Sequence, residues 1–193
     1  MKEKQFTPDY EETHAPVRVD MTLTEKEVLE QTGPTENLSY YESKLAQGQS
    51  GIPQRYVFSN IDEAPKRSDE YRDCIGLVVT GKHKETGAPI SLMTHQSMSS
   101  AEQPNFETDL RKALHEFAAQ VEPESVRATI FGGYAADGRT PSQGYESVVE
   151  TTKKIASEVL PVVPTVLPPK QEKIENAILN TKTGILYLLR SND

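Results

Sequence analysis

The chain holds a single cysteine, Cys74, and its surroundings suggest thiol chemistry. A thiolate is a strong nucleophile once a neighbouring base takes its proton. Cys74 opens the apolar run Cys74-Ile-Gly-Leu-Val-Val-Thr80 and follows the charged stretch Asp69-Glu-Tyr-Arg-Asp73. That stretch reads as an exposed loop, so a thiol at the boundary is within reach of solvent. The plainer reading is a small buried hydrophobe. His95 closes a second apolar run, Pro89-Ile-Ser-Leu-Met-Thr-His95. If the two runs pair as a hairpin, Cys74 and His95 fall at the same open end, where a thiolate–imidazolium pair can form. Ser68, six residues before Cys74, offers a hydroxyl or a carbonyl to orient the imidazole, the third role of a triad. Taken alone it is an ordinary loop serine.

Other candidates are weaker. His83 falls in the hairpin turn, His115 on the polar side of a predicted helix, and His14 in a polar segment that reads as a tail or an extended wrapping arm. No two histidines stand at i, i+4, and one cysteine cannot build a multi-thiolate centre, so no metal is expected. Asp69, Glu70 and Asp73 read as a solvated loop rather than a cation site. Gly132-Gly133 is either a close backbone approach or a simple turn. It belongs to no phosphate loop or dinucleotide fingerprint, so no cofactor is expected.

The elements that must position these residues follow from periodicity. Gly81 to Gly87 is the turn between the two runs. In residues 106–121 the apolar positions Leu110, Ala113, Leu114, Phe117, Ala118 and Val121 form one helical stripe, with Asn105 as the N-cap. A second helix opens at Thr140-Pro-Ser-Gln143, a capping box with Pro at the first helical position. Its stripe is Tyr145, Val148, Val149, Thr152, Ile155, Ala156 and Val159. Val126–Phe131 is a strand between the helices. Leu160–Leu167 is extended, and its prolines confine it to an edge strand or a coil. Ala177–Asn180 and Ile185–Leu189 form a closing hairpin around Thr181–Gly184.

Nearer the N-terminus, Thr22-Leu-Thr-Glu25 reads as a capping box for a short helix, Thr24 to Gln31, stopped by Gly33-Pro34. Residues 1–20 are polar and aperiodic. Residues 46–54 are a loop, and Arg55–Ser59 is a short strand. These elements predict an α/β (α+β) layered single domain, with helices packed on a mixed β-sheet. Residues 1–50 are an N-terminal extension, partly irregular, and 51–193 the domain.

Composition limits the partners. The 193 residues hold 21 Lys+Arg against 29 Asp+Glu, a formal net charge of −8, which argues against nucleic acid as the main ligand. No run approaches the roughly 18 apolar residues of a membrane span, and no apolar stretch follows the first residues as in a secretory signal. The cytoplasm is the default location. A secreted effector using another export signal is the alternative.

Taken in order, several short segments resemble the CheD family, the chemoreceptor glutamine deamidases of bacterial chemotaxis. They are Cys74-Ile-Gly-Leu-Val-Val, Leu92-Met-Thr-His95, Ala128-Thr-Ile-Phe-Gly-Gly133, Leu160-Pro-Val-Val163 and Asn180-Thr-Lys-Thr-Gly-Ile-Leu186, spread over about residues 68–190. The resemblance implies a Cys nucleophile at Cys74, a His base at His95, and Ser68 in place of the threonine that orients the base. It also implies a reaction, hydrolysis of a glutamine side-chain amide to glutamate, on a protein substrate with an exposed Gln, and a protein regulator as partner. The chain departs from the family where Arg72-Asp73 replaces Gly-Ser before the Cys and where Pro164–Pro169 replaces a glycine-rich stretch. Two further readings stay open: a CheD-like binding or scaffold protein without catalysis, and a thiol reaction on a small amide or ester.

Overall fold

The structure is a computed structural model, and the residues it describes are 16–38, 55–71, 74–133, 143–167 and 174–190. Strand β5 (Cys74–Lys82) and strand β6 (Pro89–Ser97) form the predicted hairpin, paired antiparallel from Cys74↔Ser97 to Lys82↔Pro89. Their continuous apolar character has a plain cause: both faces of β5 and β6 are covered, so neither strand needs a polar side. β3 (Tyr56–Phe58) flanks β6, while β7 (Arg127–Gly132) and the two-residue β8 (Thr165–Val166) continue the sheet beyond β5. The order of this sheet is β3-β6-β5-β7-β8. β8 is the edge strand expected for the proline-bounded segment.

Two helices cover its outer face. The first, Phe106–Ala118, buries Phe106, Leu110, Leu114 and Phe117. The second, Tyr145–Val159, buries Val148, Val149, Thr152, Ile155 and Ala156. These helices are α2 and α3. Each large apolar side chain buried there contributes roughly 1.5–3 kcal/mol, enough to fix both stripes against the sheet. Their N-termini differ from expectation. Asn105 occupies the N-cap of α2, but its side chain makes no capping bond. α3 begins at Tyr145 behind a left-handed Gly144, not at Pro141, and residues 140–142 of the expected capping box lie outside the described residues.

The main correction is a second sheet. A single mixed sheet was expected, but two five-stranded mixed sheets are present. The second has the order β1-β10-β9-β4-β2, built from β1 (Arg18–Asp20), β2 (Glu36–Leu38), β4 (Lys66–Ser68), β9 (Ile174–Asn180) and β10 (Ile185–Arg190). β1 pairs parallel with β10, β2 parallel with β4, and β4 antiparallel with β9. Helix α1 (Glu25–Thr32) lies on its outer face, where Val28 packs with Ile178, Tyr187 and Leu189. Residues 18–38, which the sequence reading assigned to an extension, are thus strands and a helix of this layer. The capping box of α1 is Thr24 with Glu27, not Thr22 with Glu25. The Thr22 N–H and hydroxyl instead both donate to Asp20 Oδ1, at 2.8 and 2.7 Å.

The layers run α1, second sheet, first sheet, α2 with α3. Alternation along the strands sorts the core accordingly. Ile75, Leu77 and Val79 face α2 and α3, while Cys74 and Val78 face the second sheet. There they join Met93, Phe131, Leu38, Ala177, Leu179, Leu186 and Leu188 between the two sheets.

Candidate active site

The space between the sheets holds all three side chains singled out in the sequence. Ser68 ends β4 in one sheet, while Cys74 begins β5 and His95 lies near the end of β6 in the other. Ser68 Oγ is 2.8 Å from His95 Nδ1, a hydrogen bond that crosses from sheet to sheet. Ser68 is therefore not a loop serine. Ser68 and His95 are both fully buried. Cys74 is opposite Ser97 in the ladder, two positions from His95 along β6. Thiol and imidazole occupy diagonal positions on one face of an antiparallel pair, a separation of about 7–8 Å between backbones that side chains can close.

Cys74 is 9% exposed, so the solvent-reachable thiol expected from the sequence is a buried one. The cause is Tyr71. The preceding stretch is not wholly a solvated loop, because Tyr71 turns inward and is completely buried. Its ring stacks on the His95 imidazole, centroids 4.3 Å apart and planes 15° from parallel, and tilts against Phe131 at 4.9 Å. The Tyr71 hydroxyl donates to Thr94 O at 2.8 Å. Its carbonyl accepts the Cys74 N–H at 3.0 Å. Burial raises the phenol's pKa well above the ordinary tyrosine value, so Tyr71 stays neutral and donates. One tyrosine among four charged residues gives little signal in sequence.

Backbone geometry makes room for this ring. A Cβ on Gly76 would meet the Phe131 ring and stand 2.9 Å from the Tyr71 hydroxyl oxygen. The β5–β6 pairing skips two residue pairs here: it runs through Ile75↔Gln96 and resumes at Val78↔Met93. In the gap the Leu77 N–H donates to Thr94 Oγ1 at 2.9 Å, while the Thr94 carbonyl serves Tyr71. Thr94 Oγ1 donates to Gln96 Oε1, and Gln96 Nε2 donates to Thr152 Oγ1 of α3 at 2.7 Å. The strand segment carrying His95 is held by side chains on both of its faces.

The Gly132-Gly133 pair is a close approach. Both residues have φ near +90°, and the Gly133 N–H donates to Cys74 O at 2.8 Å. A Cβ on Gly132 would run into that same carbonyl oxygen.

No family model matches the chain, and no curated protein or solved structure matches it either. Of the other candidates from the sequence, those described lie on separate elements or are paired elsewhere. His83 is at the β5–β6 turn, where its Nδ1 accepts the Glu85 N–H, and His115 is exposed on α2. His14 and Asp73 lie outside the described residues. Asp69 is paired with Arg67 at 2.9 Å, and Glu70 is exposed. Among the described residues no group of three His, Cys, Asp or Glu side chains is placed to hold a metal, and no helix is long and apolar enough to cross a membrane. A cavity of about 320 Å³ opens beside α1, lined by Met21, Thr24, Glu25, Asn176, Leu189 and Arg190, on the opposite side of its sheet from His95.

Proposed function

We propose that the chain is a cysteine-dependent amidohydrolase of CheD-like type that converts protein glutamine side chains to glutamate. The observation that carries this reading is the 2.8 Å contact between Ser68 Oγ and His95 Nδ1, with Cys74 on the same inner face as His95. Ser68 bound at Nδ1 leaves Nε2 as the nitrogen that exchanges protons with the thiol and the leaving group. The Cys74 thiolate attacks the amide carbon, and the carbon–nitrogen bond breaks as His95 hands its proton to departing ammonia. Water, deprotonated by His95, then hydrolyses the thioester to the carboxylate and restores the thiol. The tetrahedral oxyanion needs a donor. The Cys74 N–H serves once its bond to Tyr71 O yields to substrate.

A second reading, a binding module that keeps this layout without catalysis, is favoured by the burial of Cys74 and by the engagement of its N–H. Alkylation of Cys74 by iodoacetamide against pH separates the two, and a sole cysteine makes the signal unambiguous. The amidohydrolase predicts a reactive thiol with a midpoint below the ordinary thiol value of about 8.5, lost in His95→Ala. Ammonia release and an amide-to-acid mass change in a protein substrate, abolished in Cys74→Ser, then establish the activity. An unreactive thiol, or one that titrates alike with and without His95, leaves the binding module.

A further inference from the structure

We propose that Tyr71 is a positioning residue for His95, fixing the plane of the imidazole and favouring its protonated form; this deepens, and rests on, the Cys74–His95 reading. The χ2 torsion of histidine is broad, so a ring's orientation must be imposed from outside. The hydrogen bond between Ser68 Oγ and Nδ1 holds one edge of the ring. The Tyr71 ring, 4.3 Å away and 15° from parallel, covers one face.

Tyr71 is itself held at three places. Its hydroxyl is anchored on Thr94 O, the carbonyl of the residue before His95. Its own carbonyl is tied to the Cys74 N–H, and its ring rests on Phe131 over the bare backbone of Gly76. The same residue therefore touches the base's ring, the base's peptide and the nucleophile's peptide. A positive imidazolium over the face of a neutral phenol gains cation–π attraction. Among the described residues, the charged groups flanking Ser68 on β4 are already paired. Lys66 is bound to Glu36 and Asp62, and Asp69 to Arg67. β3 presents Val57 opposite His95, and on β5 Cys74 is opposite Ser97, two positions from His95 along β6.

The test is the pH profile of Cys74 alkylation in the full chain, compared among wild type, Tyr71→Leu and Tyr71→Phe, with circular dichroism melts to confirm folding. Tyr71→Leu is expected to move the midpoint upward and slow reaction on its acid side about tenfold, the size of a desolvated cation–π contact. Tyr71→Phe keeps the ring and is expected to restore the wild-type midpoint. Tyr71→Met, which fills the space with a flexible apolar chain, repeats the comparison if leucine prevents folding. A profile unchanged in a folded Tyr71→Leu or Tyr71→Met overturns the proposal, as does faster alkylation at every pH, which makes Tyr71 a cover instead. A wild-type thiol indifferent to His95→Ala overturns the pair itself, and the proposal falls with it for that separate reason.

Discussion

At the scale of single side chains, the cross-sheet bond from Ser68 to His95 is the contact most open to direct trial. Removing the hydroxyl in Ser68→Ala leaves Nδ1 buried without that partner. A neutral hydrogen bond is worth about 0.5–1.5 kcal/mol, so alkylation of Cys74 near neutral pH is expected to slow about three- to tenfold. Ser68→Thr keeps the oxygen and is expected to retain most of the rate. Two buried phenols govern the alkaline limit of the fold. Tyr71 is raised by burial, and Tyr56 by burial and then by its hydrogen bond to Asp109. Each group's folded pKa exceeds its unfolded value of 10.0. Their stabilising effect is therefore complete below pH 10.0 and declines as pH rises past it. Thermal melts should fall steeply above that value, and Tyr71→Phe should flatten part of the decline. Ser68, Cys74 and His95 were legible as candidates because their residue types carry chemistry. Tyr71 was not, because its role comes from stacking across a turn, which no spacing rule encodes.

At the scale of elements, the interrupted pairing between β5 and β6 is what admits Tyr71. The Leu77 N–H and the Thr94 carbonyl give up a ladder partner and find Thr94 Oγ1 and the Tyr71 hydroxyl instead. The neighbouring strand end imposes its own demand. Gly132 has φ +95° and lies against Cys74 O, so Gly132→Ala combines backbone strain with a collision. A cost of roughly 1–3 kcal/mol is expected from the strain alone, read as a lowered midpoint in urea. The sequence supported the hairpins and both long helices because runs of six or more residues display their period. β1, β2 and β4 are three residues each, too short to show more than one alternation, and so the second sheet went unread. The α1 capping box was displaced by two residues for a local reason: Asp20 captures Thr22 first.

At the scale of the whole molecule, residues 16–38 contribute one layer and part of another. Removing residues 1–38 takes away β1, α1 and β2 together and bares Ile178, Tyr187 and Leu189. Such a truncation is expected to lose cooperative melting and to bind a hydrophobic dye, whereas removal of residues 1–15 leaves these elements in place. The fold class was legible only coarsely, since layers are set by contacts between segments far apart in the chain. β1 pairs with β10 at Arg18↔Ile185, and Ser68 is opposite Ala177. That separation sets a timetable on the ribosome. The β5–β6 hairpin emerges from the exit tunnel long before β9 and β10 are translated. Until they arrive the second sheet lacks the two strands that join β1 to β4, and the inner face of the hairpin has no lasting cover. The nascent chain thus carries Cys74 on an uncovered hairpin face, and only the finished chain sets it against the second sheet, at 9% exposure.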